Sequence, residues 1–254
     1  WLRCVGGARG AARPAQFDTV RVPHAGGALK RAYSASHDCR DTTRLRLTIQ
    51  RVEDGRASTF LTEQVREGSH LQLLGPSGSF GEALADGQVR RVVMIAGGSG
   101  VTPMAALCHS LLGGEGEELE LALIHGVRSP QHALLADELT ALAATSGGRL
   151  TLHHVYERDA PPGQHVEGRL VPEVLSVALD SALASLSAPA ERYLVCGPAG
   201  LLDSARATLR GRGIPAAQID EERFASPEPH EVANAEAGSA PLTFLAGSRS
   251  LQVE

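Results

Sequence analysis

The chain contains a single lysine, Lys30, and draws the rest of its positive charge from arginine. Aromatic residues are scarce at 4%, and the formal net charge is −5. The basic residues are scattered rather than clustered, which argues against nucleic-acid binding. No stretch reaches the roughly eighteen consecutive apolar residues of a membrane span, so no integral membrane protein is expected. The four cysteines, Cys4, Cys39, Cys108 and Cys196, lie far apart and form no C-x-x-C pair. That spacing removes a zinc site or a local iron–sulfur motif. The Arg- and Gly-rich start lacks an apolar leader, so free thiols in a reducing cytoplasm are the expectation. The histidines supply no metal site either. His153 and His154 are adjacent and would point to opposite faces of a strand, and no third ligand accompanies any pair.

What is present suffices to fold. The 254 residues, 43% hydrophobic and 21% charged, suit two ordinary domains or one large one. The pattern changes near residue 90. Before it, Thr19–Val22, Leu45–Ile49 and His70–Leu74 alternate as half-buried strands, punctuated by Asp54-Gly55 and Gly75-Pro76. A short helical turn is expected over Ser58–Glu63. This half predicts a small antiparallel sheet or barrel.

After residue 90, strands and helices take turns. Strands are expected at Val92–Ala96, Leu119–Ile124, Leu150–Val155, Tyr193–Cys196 and Ile219–Phe224. Helices are expected between them at Pro103–Leu112, Gln131–Ala144, Leu170–Leu186 and Ala199–Arg210. That alternation predicts a doubly wound parallel sheet covered on both faces. The boundaries are read as residues 1–88 and 89–227, with a polar, aperiodic linker over 228–240. Pro241–Glu254 reads as strand, turn, strand, too little to stand alone and so the expected start of a further domain. A start at Trp1 rather than Met likewise reads as a fragment.

Four motifs carry chemistry. Arg31-Ala32-Tyr33-Ser34 could hold a phosphorylated flat heterocycle through guanidinium, ring and hydroxyl, or be an exposed arginine beside a strand tyrosine. Gly75-Pro76-Ser77-Gly78-Ser79-Phe80 could cradle a pyrophosphate on backbone N–H groups, or be an ordinary turn. Gly97-Gly98-Ser99-Gly100-Val101-Thr102-Pro103 joins a parallel strand to a helix, where doubly wound folds bind nucleotides. It is neither the G-x-G-x-x-G fingerprint nor a P-loop, and a tight turn is the alternative. Cys196-Gly197-Pro198 ends another parallel strand, with a thiol that could face a ring or fill the core.

In order and spacing, these motifs together resemble the ferredoxin–NADP reductase superfamily, in particular bacterial oxygenase reductases of the phenylacetyl-CoA and ketosteroid hydroxylase type. The resemblance runs over roughly residues 15–227 and includes Ile219-Asp220-Glu221-Glu222-Arg223-Phe224. It implies an antiparallel flavin-binding barrel followed by a doubly wound nucleotide domain. It further implies hydride transfer from NAD(P)H to FAD and electron delivery to an iron–sulfur centre serving an oxygenase or hydroxylase. By the same resemblance, Arg31 contacts flavin phosphate, Tyr33 lies against the ring and Ser34 sits near its N5. Ser58, Gly78, Ser79 and Phe80 hold the flavin pyrophosphate. Gly98, Gly100 and Thr102 line the nucleotide site, with Cys196, Gly197 and Pro198 over the nicotinamide. Glu222 and Phe224 match positions near the flavin, and Ser34, Cys196 and Glu222 form the catalytic set. Arg128, after the second parallel strand, either pairs with a 2′-phosphate or is a solvated loop residue, so NADH versus NADPH stays open.

Three departures accompany the resemblance. Fewer residues precede Pro14-Ala15-Gln16-Phe17 than the family has, so an incomplete barrel is expected. Pro241–Glu254 resembles the opening hairpin of a plant-type ferredoxin domain, so a 2Fe–2S cluster is expected only in a longer form. Ala15 stands where glycine is usual, which matters only if its φ is positive. Two competing readings remain. Gly-Gly-Ser-Gly between strand and helix suggests a hydrolase elbow, but Val101 occupies the final glycine position of G-x-S-x-G. The other is a flavin-free nucleotide-binding module without activity.

Overall fold

A computed structural model of the chain describes residues 2–4, 12–24, 27–113, 119–163, 166–224 and 249–253. In the first half, strands β1 (Leu2–Cys4), β2 (Phe17–His24), β3 (Gly27–Ser34), β4 (Arg44–Leu45) and β5 (His70–Ser77) surround helix α1 (Arg56–Glu63). The second half alternates β6 (Arg91–Gly97), α2 (Val101–Leu112), β7 (Glu120–Val127), α3 (Ala136–Thr145) and β8 (Leu150–Tyr156). It continues with α4 (Pro172–Ala184), β9 (Arg192–Gly197), α5 (Ala199–Gly211) and β10 (Ile219–Arg223). Arg249–Val253 forms a last strand, β11.

The first sheet runs β3-β2-β5-β11-β1-β4, and every pairing in it is antiparallel. A bridge between Ala35 and Leu47, with the Ser36 N–H donating to the Arg46 carbonyl at 3.0 Å, joins the two outer strands. The sheet is thereby tied into a barrel. Alternating Val20, Val22, Leu71 and Leu73 fill its interior with Leu29, Leu45 and Leu61.

The second sheet is parallel throughout, in the order β10-β9-β6-β7-β8. Its central strands are apolar on both faces, as a covered parallel sheet requires. Val92, Met94, Leu121 and Leu123 enter the core under α2, whereas Val93, Ile95, Ala122 and Ile124 enter the core under α4 and α5. Helix α2 is buried on almost every side, because it lies between sheet and barrel and sends Ala106 into the barrel's own core.

Two expected elements change. Leu45–Ile49 keeps its apolar alternation, but only Arg44–Leu45 is a strand and Leu47 makes one isolated bridge. The helix expected over Gln131–Ala144 divides into a 3-10 turn at Pro130–His132 and α3, because Leu135 adopts φ +60° between them. The linker at 228–240 lies outside the described residues. So does 241–248, and Arg249–Val253 pairs between β5 and β1. Among the described residues no helix is long and apolar enough to cross a membrane. Nor does any group of His, Cys, Asp and Glu among them suit a metal ion.

Candidate functional site

Three strand ends converge where the barrel meets the parallel sheet: β3 brings Ser34, β9 brings Cys196 and β10 brings Glu222. Cys196 and Glu222 are register partners on adjacent strands. The Cys196 thiol lies 3.9 Å from Glu222 Oε2, the reach of a weak S–H···O bond. Burial, reinforced by the neighbouring Glu222, pushes the Cys196 thiol well above its ordinary pKa. Cys196 is therefore a neutral thiol and not an activated nucleophile.

Burial also pushes the Glu222 carboxyl up to about 7, while the Cys196 thiol and the Ser34 hydroxyl draw it partly back. A carboxyl at that value holds or releases a proton near neutral pH. Ser34 is 2% exposed, and beyond this interaction with the Glu222 carboxyl its Oγ has no hydrogen-bond partner. An unmet buried hydroxyl costs about 1–3 kcal/mol, so a ligand atom that satisfied it would be favoured there.

Arg31 and Tyr33 share one face of β3, two residues apart. Tyr33 is half-buried, and burial raises its phenol pKa against the pull of Arg31. The Arg31 guanidinium donates to the Lys30 carbonyl at 2.8 Å. Gly78 and Ser79 are exposed in the turn after β5, with the Gly78 carbonyl held by Gln16 Nε2 at 3.1 Å. Ser58 and Phe80 are turned inward. The Ser58 hydroxyl donates to the Gly55 carbonyl at 3.0 Å and accepts the Val52 N–H at 3.2 Å, closing the turn before α1. Phe80 is buried with Met104 and Leu107, and Phe224 packs against the same core.

The glycine-rich turn follows β6 as expected. Gly100 lies against β9 so closely that a Cβ would stand 2.2 Å from the Cys196 carbonyl oxygen. Only glycine permits that approach. The buried Thr102 hydroxyl donates to the Ser99 carbonyl at 3.0 Å and shapes the turn from inside. Gly197 is buried at the end of β9 and Pro198 is exposed at the cap of α5. Arg128 is exposed just beyond β7, its carbonyl accepting the Arg158 N–H at 3.0 Å.

Sequence reasoning missed two relationships. His125, at the end of β7, places its Nε2 3.0 Å from the Gly98 carbonyl. Arg46 and Glu138 link the barrel to the nucleotide-type domain. Each depends on which segments the fold brings together, and no local spacing signals either. The unmet Ser34 hydroxyl, the exposed Gly78-Ser79 backbone and the strand-end turn before α2 are features that a flavin and a dinucleotide fit.

Comparison with known proteins gives the same picture. The oxidoreductase FAD-binding domain model matches residues 11–81 and the oxidoreductase NAD-binding domain model matches residues 94–207. A component of 1,2-phenylacetyl-CoA epoxidase from Escherichia coli is 31% identical over 217 residues, 85% of this chain and 59% of that protein. The ferredoxin reductase component of 3-ketosteroid-9-alpha-monooxygenase from Mycobacterium tuberculosis is 32% identical, covering 85% of this chain and 55% of that one. The chain thus spans little more than half the length of these relatives. Among solved structures, the FAD/NAD-binding domain of a Vibrio cholerae nitric oxide dioxygenase superposes with TM-score 0.70 at 26% identity, over 87% of this chain and 89% of that chain. A Neisseria gonorrhoeae ferredoxin NADP+ reductase shares the fold, with TM-score 0.67 at 23% identity, over 86% of this chain and 89% of that chain.

Proposed function

Since the chain belongs to the ferredoxin-reductase-type oxidoreductases, with an FAD-binding domain followed by an NAD-binding domain, we propose that it is an NAD(P)H-dependent electron-transfer flavoprotein. Its electrons go to an iron–sulfur acceptor that serves an oxygenase or hydroxylase. The observation that carries this reading is the meeting of Ser34, Cys196 and Glu222 across the two domains.

Bound FAD would supply the exchange between a two-electron donor and a one-electron acceptor. The chain's own residues align and shield. Arg31 is assigned to flavin phosphate, Tyr33 to the ring face, and Gly78 and Ser79 to the pyrophosphate through backbone donors. Ser34 offers its unmet hydroxyl at the ring edge. Gly98, Gly100 and Thr102 form the nucleotide turn, with Gly197 and Pro198 beside Cys196. Cys196 contributes bulk and a neutral thiol, and Glu222 contributes a carboxyl able to carry a proton near pH 7. Arg128 borders the expected ribose site. Cys39, Cys108 and Cys196 are buried thiols, and a cytoplasmic location is part of the proposal.

The test is the visible spectrum of the purified chain, before and after anaerobic NADH or NADPH. A flavin spectrum that bleaches is expected, and Arg31→Ala and Tyr33→Ala should each lower flavin retention. A chain that stays colourless with excess FAD would defeat the proposal.

A further inference from the structure

Among the buried polar side chains outside the set assigned to cofactors is a histidine at the end of β7. His125 is 1% exposed and stands opposite Ala96 in the register of β6 and β7. Its Nε2 lies 3.0 Å from the Gly98 carbonyl oxygen. A carbonyl only accepts, so Nε2 carries the hydrogen and Nδ1 is a bare acceptor. That Nδ1 is buried without a partner. An aliphatic side chain would fill this position without leaving an unmet acceptor, which costs about 1–3 kcal/mol. The Nε2–H bond is therefore the reason to have histidine there.

The bond acts on an unusual peptide. Gly98 has φ +52°, and a Cβ there would meet nothing nearer than Gln50 Oε1 at 3.8 Å. Glycine is present for backbone conformation and not for space. The Gly98 carbonyl also accepts the Val101 N–H, which closes the turn into α2. The Gly98–Ser99 peptide is planar and trans, so its C=O and N–H point in opposite directions. Anchoring the oxygen on buried His125 turns the Ser99 N–H away from the sheet, at the carboxyl end of β6. The imidazole is itself braced, with His154 at 5.7 Å between ring centroids and Tyr156 stacked on His154 within 2° of parallel.

We infer that His125 is a positioning residue for the pyridine nucleotide, presetting the Ser99 amide as a donor to its phosphates by holding the Gly98 carbonyl. This role rests on the reductase reading. It places part of nucleotide affinity in a side chain that never touches the nucleotide.

The experiment is calorimetric titration of the purified chain with NAD+ and NADP+, which involves no turnover. His125→Phe keeps a ring and loses the donor, while His125→Gln restores an N–H of similar reach. Binding about tenfold weaker in H125F, recovered to within about threefold in H125Q, is expected for one preset charge-assisted bond. The nucleotide-free melting temperatures of H125Q and the parent should agree. Should H125F fail to fold, His125→Asn, with an amide too short to reach Gly98, replaces it and should show the same weakening. H125F binding as tightly as the parent overturns the role, and so does H125Q binding as weakly as H125F. A parent that binds neither nucleotide overturns the reductase reading and this role with it, a different result from equal binding by parent and variants.

Discussion

Arg46 and Glu138 hold each other through two hydrogen bonds of 2.7 Å each, across the boundary between barrel and parallel sheet. Arg46 is steadied from behind by Ser36 Oγ at 3.1 Å, and His109 of α2 pairs with the same carboxylate. Burial works against the charge on Glu138, yet Arg46 and His109 hold its carboxyl below the ordinary range. The convergence of Ser34 from the barrel with Cys196 and Glu222 from the sheet requires the two units to stay in register. This ion pair is one of the contacts that keep them so.

Removing either partner leaves the other part-buried with a secondary contact, His109 for Glu138 and Ser36 for Arg46. Arg46→Ala and Glu138→Ala are each expected to cost about 1–3 kcal/mol in urea unfolding, less than a wholly buried pair would. The double variant should recover part of that loss, giving a coupling of about 1 kcal/mol. Additive effects would mean that the two side chains act independently.

Glu222 makes stability depend on pH in the direction opposite to most carboxylates. Its folded pKa is raised from 4.5 to about 7, chiefly by burial. Between those values the folded chain keeps a proton that the unfolded chain has lost. The stabilisation is thus full below 4.5 and disappears as pH rises through 7. Glu222→Gln removes the dependence. At pH 8 the variant should exceed the parent by on the order of 2 kcal/mol, allowing for partial exposure, and at pH 4 the two should match. Melting curves at both pH values decide it, and a parent that gains stability from pH 5 to 8 relative to E222Q would refute the burial argument.

Ala15 occupies the position where the family resemblance leads one to expect glycine, and its φ is +67° with the side chain fully buried. Left-handed backbone costs an L-residue about 1–2 kcal/mol. Glycine would relieve that strain but lose about 0.4–1 kcal/mol through the unfolded chain, together with a buried methyl worth about 0.8. Ala15→Gly should therefore change stability by less than about 1 kcal/mol. Ala15→Val, β-branched in a closed core, should lose more than about 2. A large loss in A15G, read by urea denaturation, would mean the backbone strain is absent in solution.

Much of the fold was legible because burial imposes periods on the chain. The apolar runs of β6 and β7 announced a covered parallel sheet, and the alternation of β2 and β5 announced a one-sided one. Ser34, Cys196 and Glu222 were reachable only through motif resemblance, since 162 and 26 residues separate consecutive members of the set. Their meeting is a product of β9–β10 register and domain packing. Leu135 interrupts a helix that its apolar neighbours would continue, because a left-handed residue leaves no mark on hydrophobic period. His125 and Gly98 are 27 residues apart, and only the parallel pairing of β6 with β7 joins them. Ser58 matched its motif, yet its hydroxyl closes the turn before α1, a local use that spacing does not distinguish from ligand binding.

The two strand-end turns of the nucleotide domain share a seam with no slack. At Gly100 an added Cβ would meet the Cys196 carbonyl oxygen at 2.2 Å, its carbon at 2.6 Å and Gly197 N at 3.0 Å. All three are backbone atoms, which no rotamer change can move aside. Gly100→Ala must push the turn after β6 away from the end of β9, at an expected cost of about 3 kcal/mol. The displaced turn is the one that carries Gly98 and leads into Thr102, so nucleotide binding should weaken even at temperatures where the variant is folded. Gly200 provides the contrast, since a Cβ there meets nothing within 4 Å and the residue lies in the first turn of α5. Gly200→Ala should be neutral or stabilising by up to about 1 kcal/mol through helix propensity. Melting temperature and calorimetric nucleotide affinity, measured on both variants, separate a steric seam from a general intolerance of alanine. If G100A bound and melted like G200A, the close approach of Gly100 to the end of β9 would be disproved.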